Sequence, residues 1–356
     1  MIADLKINRL MRHVTLMMSR RKPLVCVLLL VCWATICVTY ILLVPLSCAN
    51  PRNFPKLDPR DNTDVTIVTA FFDLGTFQKG EKLQNIHYTP QKYLEWARAF
   101  RYLQNPLLIF TDSSEMEDCF RGAATVSETL REKWSNSQKS GTAETKREAS
   151  EKKNRVKVVR IYNRTELFAF KKLKRVREIF ADPSYPKFHP NTVLPEYACT
   201  QHAKVDLMER AILEDYFHTK YYAWIDLGYF RDTSSRKRKF WITVPPAMDD
   251  KKVAVNEVRS PHHDLDPGVI FKENVYWVGG GMILGSAPVV LKYVAEYRRA
   301  VDFFMDRGLF NTDQQVIYAM YKSTATRHLA VTTQLQLFGN KRLNCWFYLG
   351  YQCYRE

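Results

Sequence analysis

The glycine patterns that mark many nucleotide-binding enzymes are missing from this 356-residue chain. It has only 13 glycines, and none of them makes a Gly-x-Gly-x-x-Gly after the first apolar run or a Walker loop. Such loops bring backbone amides against phosphates at a helix N-terminus, so dinucleotide oxidoreductases, kinases and P-loop sulfotransferases lose most of their support. Cysteine is sparse as well, at eight residues, and none shows the spacing of a zinc site. Cys26, Cys32 and Cys37 fall inside an apolar run, leaving Cys48, Cys119, Cys199, Cys345 and Cys353 to meet an oxidising compartment. Cys345 and Cys353 are close enough for a local bridge, although pairing is not set by sequence alone.

Charge is absent altogether from Leu24 to Leu46. At about 1.5 Å per residue a helix of that length crosses a hydrocarbon core of roughly 30 Å. The preceding tail carries Lys6, Arg9, Arg12, Arg20, Arg21 and Lys22 against Asp4, a bias that keeps the N-terminus cytosolic. The expected organisation is a cytosolic basic tail (1–23), a transmembrane signal anchor (24–46), a proline-bearing stem (47–63) and a lumenal domain (64–356). That describes a single-pass type II protein of the secretory pathway, with the Golgi the expected compartment. The alternative, a signal peptide cut near Ala49, fits less well because the apolar core exceeds the usual length of about 7–15 residues. The net charge of +16 invites a nucleic-acid reading, but part of it lies in the tail and in mixed-charge loops. A basic lumenal face suits nucleotide diphosphates at least as well. Asn163-Arg164-Thr165 is a glycosylation sequon that is either used or simply a surface triplet.

Along the lumenal part, strands are predicted at Asp64–Phe72, Pro106–Phe110, Val156–Tyr162 and Tyr221–Ile225, the first two of them buried. Tyr93–Leu103 is helical in pattern, and Ala203–Phe217 carries one apolar stripe through Leu207, Met208, Ala211, Ile212 and Tyr216. Residues 122–154 lose all apolar periodicity and are expected as a mobile insertion. Alternation of strands and helices predicts an α/β fold, with a largely parallel sheet covered on both faces. Ligands of such sheets sit beyond the C-terminal strand edges, where Asp73, Asp112 and Asp226 can converge.

The run YYAWIDLGYFRD ends an aromatic strand in a single carboxylate, Asp226, followed by a turn. Together with TIVTAFFDLG, YACTQHAKVDLMERAI, VYWVGGGMILGS and FNTDQQVIYAMY it resembles the HtrL/YibB (WlaTC) family from about Asp64 to Glu356. That family is itself similar to GT-A glycosyltransferases. The resemblance implies a Rossmann-like nucleotide-binding half, a nucleotide-sugar donor, a glycan or glycoconjugate acceptor, and Mn²⁺ or Mg²⁺ against the donor diphosphate. GT-A enzymes typically carry Asp-x-Asp, whereas this chain has Asp226-Leu227-Gly228. The second carboxylate is missing.

The remaining candidates each have a plain alternative. Asp226 is the expected catalytic and metal-ligating residue, or else the cap of a turn. Asp264-Leu265-Asp266 is a rival metal site or a surface turn, and His328 a further ligand or a surface histidine. Asp73, Lys204 and the glycines Gly279, Gly280 and Gly281, placed after a strand at Asn274–Val278, are expected at the donor. A solvated lysine and a sheet bend explain Lys204 and the glycines equally simply. Thr312 and Gln315 are spaced as a capping box, and Asp313 is the candidate general base or a first-turn acid favoured by the helix dipole. The aromatic tail Asn344–Tyr354 stacks on sugars or packs a final strand or hairpin. A non-catalytic glycan-binding or scaffolding protein of the same fold is the competing functional class.

Overall fold

The computed structural model describes residues 53–80, 86–121, 155–233, 235–339 and 346–356. The expected tail, anchor, first part of the stem and 122–154 insertion lie outside the described residues, as does Cys345. Among the described residues no helix is long and apolar enough to cross a membrane. Of the expected stem, Phe54 is buried against Tyr354, and Pro55 and Leu57 exchange backbone hydrogen bonds with Glu356.

Eleven strands are formed among these residues: β1 Val65–Phe71, β2 Phe77–Lys79, β3 Ile86–Tyr88, β4 Leu107–Thr111, β5 Val156–Arg160, β6 Tyr221–Ile225, β7 Trp241–Ile242, β8 Lys252–Glu257, β9 Val278–Ser286, β10 Gln334–Phe338 and β11 Tyr354–Arg355. Seven of them make one mixed sheet in the order β10-β8-β9-β6-β1-β4-β5. Every neighbouring pair is parallel except those made by β9, which runs against both β6 and β8. The apolar runs of β1, β4 and β6 are continuous because both faces of the sheet are covered. Successive residues of β4 show this: Leu107 and Ile109 enter one core, Leu108 and Phe110 the other.

Four helices position the site: α1 Pro90–Ala97, α2 Pro195–Glu214, α3 Ala287–Met305 and α4 Asp313–Lys322. From β1 the chain reaches β4 on one side and, later, β6 on the other. The C-terminal ends of β1 and β6 therefore meet at a topological switch point, where α/β sheets open a crevice.

Several sequence expectations need correction. The helix predicted at Ala203–Phe217 begins at Pro195, with proline in its first turn, and ends at the left-handed Asp215, so Tyr216 lies beyond it. Asn274–Val278 is not a strand. Trp277 is buried and donates its indole N–H to Glu257 Oε1 at 3.3 Å, while β9 starts at Val278 and carries the glycines in its interior. The tail forms a short helix, Tyr348–Cys353, followed by β11, instead of a long strand or hairpin. Cys353 is a buried free thiol, and burial pushes it well above the ordinary range; the same cause takes buried Cys199 up to about 12.

Candidate active site

Asp226 stands one residue beyond β6. Its backbone N–H donates to Gly281 O at 2.8 Å, continuing the β6 to β9 ladder, and its side chain is 40% exposed. Trp224 Nε1 donates to Oδ1 at 2.7 Å, and the Lys204 ammonium lies 3.1 Å from the same oxygen. Lys204 comes from α2, is only 4% exposed, and spends its three N–H bonds on three acceptors. These are Asp226, Asp313 Oδ2 at 3.1 Å and Gly280 O at 2.9 Å. Burial alone lowers the Lys204 pKa, but Asp226 and Asp313 outweigh it and hold the ammonium above its ordinary value.

The glycines let this cluster form. One step on β8, from Val255 to Asn256, spans Ile283 to Gly279 on β9, so Gly280, Gly281 and Met282 bulge from the ladder. A Cβ on Gly280 would stand 2.0 Å from Asp313 Oδ2, and one on Gly281 would stand 2.9 Å from the Tyr229 ring. Bare backbone is thus what allows a carboxylate and an ammonium to abut this strand.

Asp313 opens α4 and its side chain is 6% exposed. Gln315 Oε1 accepts from the backbone and hydroxyl of Thr312, at 3.3 and 2.7 Å, and Gln314 Nε2 donates to Val278 O at 3.0 Å. The helix start is thereby fixed to β9. Burial raises the Asp313 pKa, with Lys204 opposing. Behind it, His202 is fully buried; its Nε2 is 3.0 Å from Asn311 O and its Nδ1 2.7 Å from Tyr297 Oη. With Nε2 donating to the carbonyl and the tyrosine hydroxyl donating to Nδ1, the ring is neutral, and burial pushes its pKa down to about 4.

Asp226, Lys204 and Asp313 line a cleft of about 420 Å³. Tyr88, Tyr93, Trp96, Tyr197 and Phe347 form an aromatic wall, and Lys79 and Arg231 bring positive charge to it. The Arg231 guanidinium lies 4.8 Å from the centre of the Phe347 ring and 5.8 Å from that of Trp96. Gly228, at the place of the missing second carboxylate, is backed by Trp96: a Cβ there would meet the indole at 2.7 Å. The position that would complete Asp-x-Asp is filled by an aromatic ring.

The structure brings Asp226, Lys204, Asp313, Gly280 and Gly281 to this cleft. Gly279 lies behind it, against Val258. Asp73 stands nearby at the end of β1, where its carboxylate accepts from Gly75 N–H at 2.8 Å, while Leu74 and Gly75 line the cleft. Asp264, Asp266 and His328 are exposed and do not line it: Asp264 has a left-handed backbone, Asp266 caps Pro267–Lys272 by accepting from Gly268 N–H, and His328 stacks at 6.5 Å on Phe303. Trp96, Tyr197 and Trp224 were not singled out in the sequence, because no spacing separates a cleft aromatic from a core one. Of the tail, Trp346 and Phe347 line the cleft, while Leu349, Cys353 and Tyr354 enter the core.

Among the described residues no group of three or more His, Cys, Asp or Glu side chains can hold a metal ion. Mg²⁺ and Mn²⁺ nevertheless bind through one or two carboxylates completed by substrate phosphates. The half-exposed Asp226 carboxylate fits that manner of binding, and Asp313, buried on Lys204, does not.

No curated protein matches the chain in sequence. Mouse xyloside xylosyltransferase 1, in its apo crystal structure, is similar in three dimensions at 9% identity and a TM-score of 0.30, over 77% of this chain and 84% of that one. So slight a likeness carries no argument about activity. The sequence match is of another order: the pattern described as "Bacterial protein of unknown function (HtrL_YibB)" covers residues 63–338, and the chain belongs to the HtrL_YibB family.

Proposed function

We propose that the chain is a glycosyltransferase that moves a sugar from a nucleotide-sugar donor to a hydroxyl of a glycan or glycoconjugate. The observation that supports this most is the placement of Asp226. It is a half-exposed carboxylate at the switch point of the sheet, facing a cleft whose walls are aromatic and basic. Aromatic faces pack against sugar C–H faces and nucleobases, and basic side chains oppose phosphate charge.

In the transfer, the bond from the anomeric carbon to the diphosphate oxygen breaks and a bond to the acceptor oxygen forms. The acceptor proton goes to Asp313 if the configuration inverts. Burial raises its pKa, and the more basic a carboxylate, the better it takes up a proton. Asp226 would hold Mn²⁺ or Mg²⁺, which when bound stabilises charge on the departing diphosphate. Trp224 and Lys204 fix the orientation of that carboxylate. Asp73, with Leu74 and Gly75, borders the donor. The reaction is placed in the secretory pathway, with the catalytic domain in the Golgi lumen and residues 24–46 in the membrane.

The test is a panel of nucleotide sugars given to the full chain in detergent, with and without Mn²⁺, beside Asp226→Asn. Donor hydrolysis or transfer that Asp226→Asn abolishes is the expected result. No turnover and no donor binding across the panel would leave a glycan-binding or scaffolding protein.

A further inference from the structure

The arrangement of Lys204 has a consequence for how the site takes up a cation. Two acids reach the inner end of the cleft, Asp226 and Asp313, and one buried ammonium lies between them. Its three donors are all engaged at 2.9–3.1 Å, two of them on those acids. Asp313 is 6% exposed with Oδ2 on Lys204, so it has little freedom to turn outward. The place where a second outward carboxylate would stand is Gly228, and Trp96 excludes any side chain there. What remains for a metal is the exposed part of one carboxylate, with an ammonium close behind it.

We propose that Lys204 is a built-in cation that prevents Asp226 and Asp313 from binding a divalent ion by themselves. A divalent ion is then accepted only together with a nucleoside diphosphate. A single carboxylate offers too few oxygen ligands to displace the water of Mg²⁺ or Mn²⁺, and the fixed positive charge of Lys204 opposes a second cation beside it. A diphosphate supplies both the missing oxygens and the compensating negative charge. Without the lysine, the two acids would meet an incoming cation with two uncompensated negative charges. Lys204 is therefore a specificity-determining residue: it ties metal uptake to the donor and keeps the two acids apart in role. This inference rests on the function proposed above.

The experiment measures Mn²⁺ binding to the full chain in detergent, by the electron paramagnetic resonance signal of free Mn²⁺. It is run alone and with uridine, guanosine or cytidine diphosphate as the probe. Wild type is expected to bind Mn²⁺ at least tenfold more tightly with one of these nucleotides than without. Lys204→Met is expected to gain at least tenfold in affinity for Mn²⁺ alone, a gain that adding Asp226→Asn removes. Circular dichroism and thermal melting establish whether Lys204→Met is folded; if it is not, the comparison of wild type with and without nucleotide decides by itself. Tight Mn²⁺ binding by wild type alone that Asp226→Asn abolishes would overturn the proposal, as would equal affinities for wild type and folded Lys204→Met. A nucleotide that binds by calorimetry yet leaves the wild-type Mn²⁺ affinity unchanged overturns the coupling while sparing the glycosyltransferase reading. Failure of all three nucleotides to bind counts against that reading, and the wild-type and Lys204→Met affinities for Mn²⁺ alone still judge the lysine.

Discussion

Helix α2 carries two buried ion clusters, and their surroundings differ. At Asp206, which is 7% exposed, Arg298 Nε donates at 2.9 Å and the Phe168 backbone N–H at 2.7 Å, while Arg298 Nη1 pairs with Glu209 at 2.7 Å. None of those residues lines the cleft. At Lys204 the ammonium is equally well supplied, but one of its acids, Asp226, opens to the cleft. A buried ion pair on its own says little about function, since desolvation offsets most of its Coulombic gain. What distinguishes the Lys204 cluster is a carboxylate left available at the sheet's switch point and a glycine bulge shaped to accept the pair.

That contrast can be broken in four places. Asp226→Asn should reduce sugar transfer by about 10²–10³, the usual cost of losing one group that stabilises developing charge. Thermal melting should fall only modestly, because the amide keeps an oxygen for Trp224 while the buried Lys204 loses one of its two countercharges. Retained transfer would put Asp226 in the same structural class as Asp206. The next largest effect belongs to His202, the neutral post behind Asp313. Its folded pKa of about 4 lies below the ordinary value of roughly 6.5, so the unfolded chain takes up the proton first as pH falls. The stability it contributes is complete above about pH 6.5 and is lost between there and pH 4, on the order of 3 kcal/mol. Urea melts at several pH values should show His202→Gln lacking that component; a variant with the wild-type pH dependence would refute it.

Arg298→Ala tests the other cluster. Removing the guanidinium leaves Asp206 buried without its main partner, at a cost of about 2 kcal/mol in chemical denaturation. Transfer by the folded variant should stay within about twofold of wild type, and a larger loss would show that the two clusters are coupled. The smallest signal is in the pH profile. Burial raises Asp313, so the acidic limb of the transfer rate should lie above the ordinary carboxylate value of roughly 3.9 and be abolished by Asp313→Asn. An unmoved limb in that variant would remove Asp313 from the role of base.

The strands with continuous apolar runs were legible in the sequence to within a residue or two, β1, β4 and β6 among them. A central parallel strand has to be apolar on both faces, and few other contexts demand that. The antiparallel β9 was misread because Val-Gly-Gly-Gly has low strand propensity. It is a strand through its pairing with β6 and β8, and the space beside its bulged glycines is filled by Asp313 of α4 and by Tyr229 after β6. The capping of α4 could be read from Thr312 and Gln315, since capping is a local matter. Whether Lys204 was solvated or engaged could not: its partners are 22, 76 and 109 residues away in the chain.

The amino-acid sequence by itself determined the family, the alternating α/β order, the strand that delivers Asp226 and the cap that opens α4. All of these follow from local pattern and near neighbours. Only the tertiary structure decided that Lys204 joins Asp226 to Asp313, that Asp264, Asp266 and His328 stand elsewhere, and that Trp96 occupies the place of the absent carboxylate. Those facts depend on contacts between distant segments, whose geometry is set by the packing of helices on a sheet and leaves no periodic trace in the chain.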